Sequence, residues 1–218
     1  MVTVEVDPER VEFRLAAGQL SCPSCSHGVL AGWGFARIRR VVGSAEPVRP
    51  RRSRCRACAV THVLLPVTLL LRRAYAAEVV WAAVVAKAAG GGHRVIGARC
   101  GIPSSTVRGW LRVITGRAEA VRDWFVSIAV FAGVDVSIPR ATGSRCGDVI
   151  AAVGAATEAL AVRFGGGPVI GGVTAARVVV TGSGGRLLSP GWPLAPVPVV
   201  ATRTDPDVGG DSGSGSRG

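Results

Sequence analysis

Apolar residues over the first third of the chain fall in short mixed patches, and from residue 74 onward they settle into a helical period. Asp7 followed by Pro8 reads as an N-cap and first helical position. Val11 and Leu15 form an i, i+4 apolar pair and Gly18 supplies a stop, so a short helix is expected near residues 8–17. The stretch from Val29 to Val42 mixes aromatic and β-branched residues with Arg37, Arg39 and Arg40, the pattern of a ribbon hairpin with one basic face. Pro47 to Arg54 reads as a basic loop or arm, and Val60 to Leu65 as a closing strand that ends at Pro66.

Ala76 to Ala89 is an alanine-rich helix with Val80, Val84 and Lys87 at helical spacing, and Gly90-Gly91-Gly92 ends it. A short helix over 93–100, a turn at Gly101 and a longer helix over 104–115 follow. Ile96 and Cys100 share one side of the first, and Val107, Trp110, Leu111 and Ile114 share one side of the second. A glycine-hinged turn lets the two apolar faces meet over the helix before them, which is a helix-turn-helix arrangement. Beyond residue 117 the signals weaken. Ala118 to Val130 and Asp148 to Phe164 read as helices, Gly165-Gly166-Gly167 as a helix stop, and Val173 to Leu188 as a strand or packed turn. From Ser189 proline, glycine and serine dominate, and disorder is expected.

Charge changes the picture from architecture to partner. Residues 1–117 hold 18 Lys or Arg against 6 Asp or Glu, whereas residues 118–218 hold 8 of each, so the whole net charge of +12 belongs to one half. That asymmetry points to a polyanion, and nucleic acid is the first such partner to consider. Arginine outnumbers lysine 25 to 1 in an Ala-, Val- and Gly-rich chain, the imprint of a GC-rich genome, so arginine choice alone carries no argument. The longest uncharged apolar runs, Val63 to Leu71 and Trp124 to Val134, are too short to span a bilayer. Met1-Val2-Thr3-Val4-Glu5 lacks the basic start and apolar core of a signal peptide, and a reducing, cytoplasmic and nucleoid-associated location is expected.

Two C-x-x-C knuckles, Cys22-Pro23-Ser24-Cys25 and Cys55-Arg56-Ala57-Cys58, supply the candidate chemistry. Each lets two thiolates on one tight turn reach one ion, and two such turns close a structural tetrahedral Zn2+ site with no open coordination position. Two disulfides or free thiols are the alternative, and His27 or His62 stands close enough to a knuckle to replace one cysteine. Zinc-ribbon knuckles usually carry glycine where Ser26 and Ala59 stand. Cys100 and Cys146 are read as small buried hydrophobes.

The expected fold is therefore mainly α with a small β zinc ribbon. A zinc-ribbon hairpin with a short N-terminal helix occupies 1–66, a helix-turn-helix bundle 72–117, further helices 118–188 and a disordered tail 189–218. On the second helix of the pair, Ser104, Ser105, Thr106, Arg108 and Arg112 lie opposite the apolar stripe and would face double-stranded DNA. The hydroxyl residues sit at a helix N-terminus that favours phosphate, and Arg108 is the candidate to pair with a guanine edge. Arg94 and Arg99 of the shorter helix, with Arg51, Arg52 and Arg54 of the basic arm, complete the expected contact set.

With both motifs in view, the chain resembles an uncharacterised family of bacterial zinc-ribbon plus helix-turn-helix proteins, itself similar to the N-terminal DNA-binding region of insertion-sequence transposases. Cys22 to Cys25, Gly32-Trp33-Gly34, Arg51 to Cys58, Thr61 to Pro66 and Ser105 to Leu111 carry the resemblance, with Gly185 to Pro190 adding a looser match. It implies DNA binding and zinc. A transposase also needs three carboxylates that hold two metal ions. Asp135 could stand as the first, but after Asp148 and Glu158 only Asp205, Asp207 and Asp211 remain, with no glutamate behind them. No phosphate-binding glycine loop and no paired nucleophile is present, so no enzymatic activity is expected. The leading expectation is a non-catalytic DNA-binding protein, with room for a homodimer through the C-terminal helices. A zinc-ribbon adaptor for protein partners and an accessory recombinase subunit are the alternatives.

Overall fold

The computed structural model describes residues 1–25, 27–133, 135–164 and 172–193. The chain runs β1 (Val2–Val4), α1 (Pro8–Ala16), β2 (Leu30–Phe35), β3 (Arg51–Cys55), β4 (Thr61–Pro66), α2 (Ala77–Ala88), α3 (His93–Cys100), α4 (Ser104–Thr115), α5 (Ala118–Ala132), α6 (Arg145–Phe164) and α7 (Ala175–Ser183). The fold is mainly helical with one small sheet.

Local chemistry sets the first elements. Asp7 caps α1 by accepting the Glu9 and Arg10 N–H groups, with Pro8 behind it, while Gly18 takes φ +66° just past the helix. The sheet has strand order β1-β4-β3-β2, with β1 parallel to β4 and the other two pairs antiparallel. Residues 51–54, expected as a basic arm, are instead a central strand: Arg52, Ser53 and Arg54 pair with Val63, His62 and Thr61 on one side. Ala31 and Gly32 pair with Arg54 and Ser53 on the other. The arginines misled because Arg52 and Arg54 face outward, whereas Ser53 and Cys55 alternate inward and are buried, and Arg51, on that same inner side, is half-buried against Glu12 of α1. Val11 and Leu15 of α1 pack on that inner side with Val4, Leu20, Leu30 and Leu64.

A second core gathers residues from α2 to α7. Val80 and Val84 of α2 meet Ile96 of α3, Val107, Trp110 and Ile114 of α4, Phe125 of α5, Val149 and Val153 of α6 and Val179 and Val180 of α7. Tyr75, just before α2, meets the Trp110 ring edge-on at 4.9 Å. A small third cluster of Val41, Leu65, Leu69 and Ala76 lies where the sheet gives way to α2.

Two further elements and one cysteine depart from expectation. Residues 173–188, read as a strand or packed turn, contain helix α7. Its β-branched run Val178-Val179-Val180-Thr181 favours a strand locally, yet Thr174 caps the Arg177 N–H and Gly184 ends the helix at φ +56°. Burial of Ala176, Val179, Val180 and Ser183 at helical spacing then decides the matter. Helix α6 starts three residues before Asp148 because the Ser144 hydroxyl accepts the Gly147 N–H at 3.0 Å. Cys146 is buried as expected, but Cys100 is exposed at the end of α3.

The first residues of the expected tail are packed. Trp192 is 5% exposed, and the Arg117 guanidinium donates to the carbonyls of Ser189 and Trp192 at 2.6 and 2.7 Å. The glycine stop at 165–167 and residues 194–218 lie outside the described residues.

Candidate metal centre

The first knuckle lies in the connection from α1 to β2, and the second projects from the end of β3. The first follows Leu20, whose carbonyl accepts the Leu30 N–H, and the second closes β3 with Cys55. Their Sγ atoms all lie within 4.8 Å of one another. Cys22 and Cys58 are 3.7 Å apart and Cys25 and Cys55 are 3.6 Å apart. A tetrahedral ion with metal–sulfur bonds of about 2.3 Å places its thiolates about 3.8 Å apart. A disulfide requires about 2.05 Å, so neither pair is bonded.

The surroundings suit an ion held by thiolates. Backbone N–H groups of Ala57 and Cys58 point at Cys55 Sγ at 3.3 and 3.4 Å, and that of Ser24 at Cys22 Sγ at 3.4 Å. The donors from Cys58 and Ala57 push the Cys55 thiol down to about 6, which favours a ligand already deprotonated at neutral pH. Burial and then the neighbouring Cys55 push Cys25 the other way. Gly28 leaves the space that the sulfurs occupy: a Cβ there would fall 2.4 Å from Cys55 Sγ and 2.9 Å from Cys25 Sγ. The four cysteines are thus a site that four sulfur bonds to one ion would fit.

His62 belongs to this site in a supporting position. It is 5% exposed, and its Nδ1 accepts from the Met1 nitrogen at 3.0 Å. The ring proton therefore sits on Nε2, which donates to Cys22 Sγ at 3.4 Å. Burial and the Met1 amino group hold the imidazole below its ordinary range, keeping it neutral. Such a donor orients a thiolate and offsets its charge without replacing it. His27, by contrast, is exposed.

Ala59 shows what the missing glycine means. It adopts φ +60°, the left-handed region, so alanine carries a backbone strain that glycine would not. Ser26 lies outside the described residues.

The other sequence-nominated residues divide into two surfaces. On α4, Val107, Trp110, Leu111 and Ile114 are buried, while Ser104, Ser105, Arg108 and Arg112 are exposed and Thr106 is half-buried. Arg94 and Arg99 of α3 are exposed too. Gly101 makes the turn between these helices at φ +64°, and a Cβ on Gly97 would fall 2.7 Å from the Ile102 carbonyl oxygen, so glycine permits the close approach. On the sheet, Arg52 and Arg54 are exposed. Arg51 is engaged inside the module: it pairs with Glu12 of α1, donates to the Gly34 carbonyl at 2.7 Å and lies over the Phe35 ring at 4.7 Å.

Composition did not reveal Gly28, Gly97 or the supporting role of His62. Each is a matter of close approach between segments distant in sequence. Among the described residues no helix is long and apolar enough to cross a membrane. Comparison of the chain with protein families, with curated proteins and with solved structures finds no match.

Proposed function

We propose that this chain is a zinc-stabilised, non-catalytic protein that binds double-stranded DNA, as a transcriptional regulator or a captured transposase DNA-binding half. The observation that carries the reading is the two-sidedness of α4. One face sinks four apolar side chains into the core, each contributing roughly 1.5–3 kcal/mol on burial. The opposite face presents Ser104, Ser105, Arg108 and Arg112 to solvent, and among the described residues neither arginine has an acidic partner.

In this reading α3, the turn at Gly101 and α4 act as a helix-turn-helix, with α4 in the major groove. The Ser104 and Ser105 N–H groups open the helix, because the first residues bonded back to Pro103 are Thr106 and Val107. They receive a phosphate at the positive end of the helix dipole. Arg108, one turn in, reads a guanine through its O6 and N7, and Arg112 holds the next phosphate. Arg94, Arg99, Arg52 and Arg54 add backbone contacts, while Arg51 braces the module that presents them. Zinc in the four-cysteine site is structural: it leaves no coordination position for a substrate and fixes the sheet on which the basic strands lie.

Binding to duplex should weaken steeply as salt rises, because each neutralised phosphate releases counterions. Replacing Arg108 with alanine should cost about 1–3 kcal/mol on a preferred site and relax base preference. Fluorescence anisotropy on matched and scrambled duplexes measures both. An equal loss on every sequence would reduce Arg108 to a phosphate contact, and the absence of any duplex binding would defeat the proposal.

A further inference from the structure

The sheet offers a basic face whose chemistry differs from that of α4. From Gln19 to Tyr75 the chain holds ten arginines and one acidic residue, Glu46. Ser53, Cys55, His62 and Leu64 alternate toward the inner side of the sheet and are buried, so Ala31, Arg52, Arg54 and Thr61 belong to the outer side. Trp33 joins them: the Arg54 guanidinium lies 4.7 Å from its ring centroid, and the indole remains 53% exposed.

A bulge sharpens this presentation. Gly32 pairs with Ser53 and Phe35 with Arg51, which sets two residues, Trp33 and Gly34, against Arg52 alone. Gly34 takes φ +96°, a conformation glycine reaches without strain, and bulges of this kind re-aim side chains. Arg52 is exposed with no partner among the described residues. The Nε of Arg54 donates to the Ala59 carbonyl at 3.1 Å, leaving its two terminal nitrogens for an outside acceptor.

An exposed indole beneath the Arg54 guanidinium, with Arg52 across the bulge and neither arginine paired with a carboxylate among the described residues, asks for a partner that is both aromatic and anionic. Duplex DNA offers phosphates, but its bases show only their edges. An unpaired nucleotide offers a π-face for the ring and a phosphate on each side for the arginines. We propose that the Trp33, Arg52 and Arg54 face binds single-stranded DNA, one unpaired base stacking on the indole while its flanking phosphates meet the two guanidinium groups. This rests on the reading of the protein as a nucleic-acid binder, but not on α4, which sits on another element.

The test uses the full zinc-loaded chain and two labelled probes of equal length and charge, an oligothymidine and an abasic deoxyribose-phosphate strand. The oligothymidine should bind about tenfold more tightly, since stacking is lost with the base. Trp33→Ala should bring the two affinities together, Trp33→Phe should preserve most of the difference, and the double change Arg108→Ala with Arg112→Ala should leave it intact. Equal binding of the two probes by the unaltered protein would overturn the proposal without any variant, and so would a Trp33→Ala protein that keeps the preference. Oligothymidine preference without duplex binding would contradict the role given to α4 and uphold this one; duplex binding without oligothymidine preference would do the reverse.

Discussion

At Ala59 a methyl group stands in a left-handed turn, and the strain is local enough to relieve by one change. Ala59→Gly should stabilise the protein by up to about 1 kcal/mol, the left-handed penalty less the extra chain entropy of glycine. Thermal unfolding of the zinc-loaded protein measures it, and a lower midpoint would show that the alanine methyl makes a contact worth more than its strain. His62 makes a different prediction. Its Nε2–H reaches Cys22 Sγ at 3.4 Å, so His62→Ala should weaken zinc binding about 10–100-fold while leaving one ion per chain at saturation. Competition with a chromophoric chelator reads this out; unchanged affinity would make His62 a core residue only.

The helices α3 and α4 meet through Gly97, where a Cβ would press on the Ile102 carbonyl at 2.7 Å and the Ser104 Cα at 3.2 Å. Backbone atoms cannot swing aside as a flexible side chain can. Gly97→Ala should therefore force the pair apart and destabilise the protein by about 1–3 kcal/mol, despite alanine's higher helix propensity. Chemical denaturation checks the sign, and a gain in stability would mean that the helices tolerate a wider spacing. Helical elements were legible in the sequence wherever capping and apolar spacing agreed, as at Asp7-Pro8 and over Val107 to Ile114. They were not legible where local preference and tertiary burial conflict. The valine run of α7 favours a strand and is helical because of what it packs against. Residues 51–54 carry the polarity of a loop, yet only one side of that strand faces solvent.

At the scale of the molecule, the segment that follows α7 is tied back to the β4–α2 connection and to the junction of α4 and α5. The Leu71 N–H donates to the Gly185 carbonyl at 2.8 Å, Arg73 donates to the Leu188 carbonyl, and Arg117 holds those of Ser189 and Trp192. No short-range pattern announces such ties, because each joins residues more than seventy positions apart. The candidate site was more legible: the C-x-x-C spacing alone named all four cysteines that the fold brings together. The sequence could not reveal Gly28, whose importance lies in the volume that two distant sulfurs need. If the four-cysteine site braces the sheet that carries Arg52 and Arg54, metal and DNA binding are linked. Selection of bound sequences from a random duplex pool, run with and without a zinc chelator, tests that claim most directly. The account predicts an enriched sequence preference at moderate salt that fades when zinc is removed; recovery of no preferred sequence, or of the same preference with the chelator present, would contradict it.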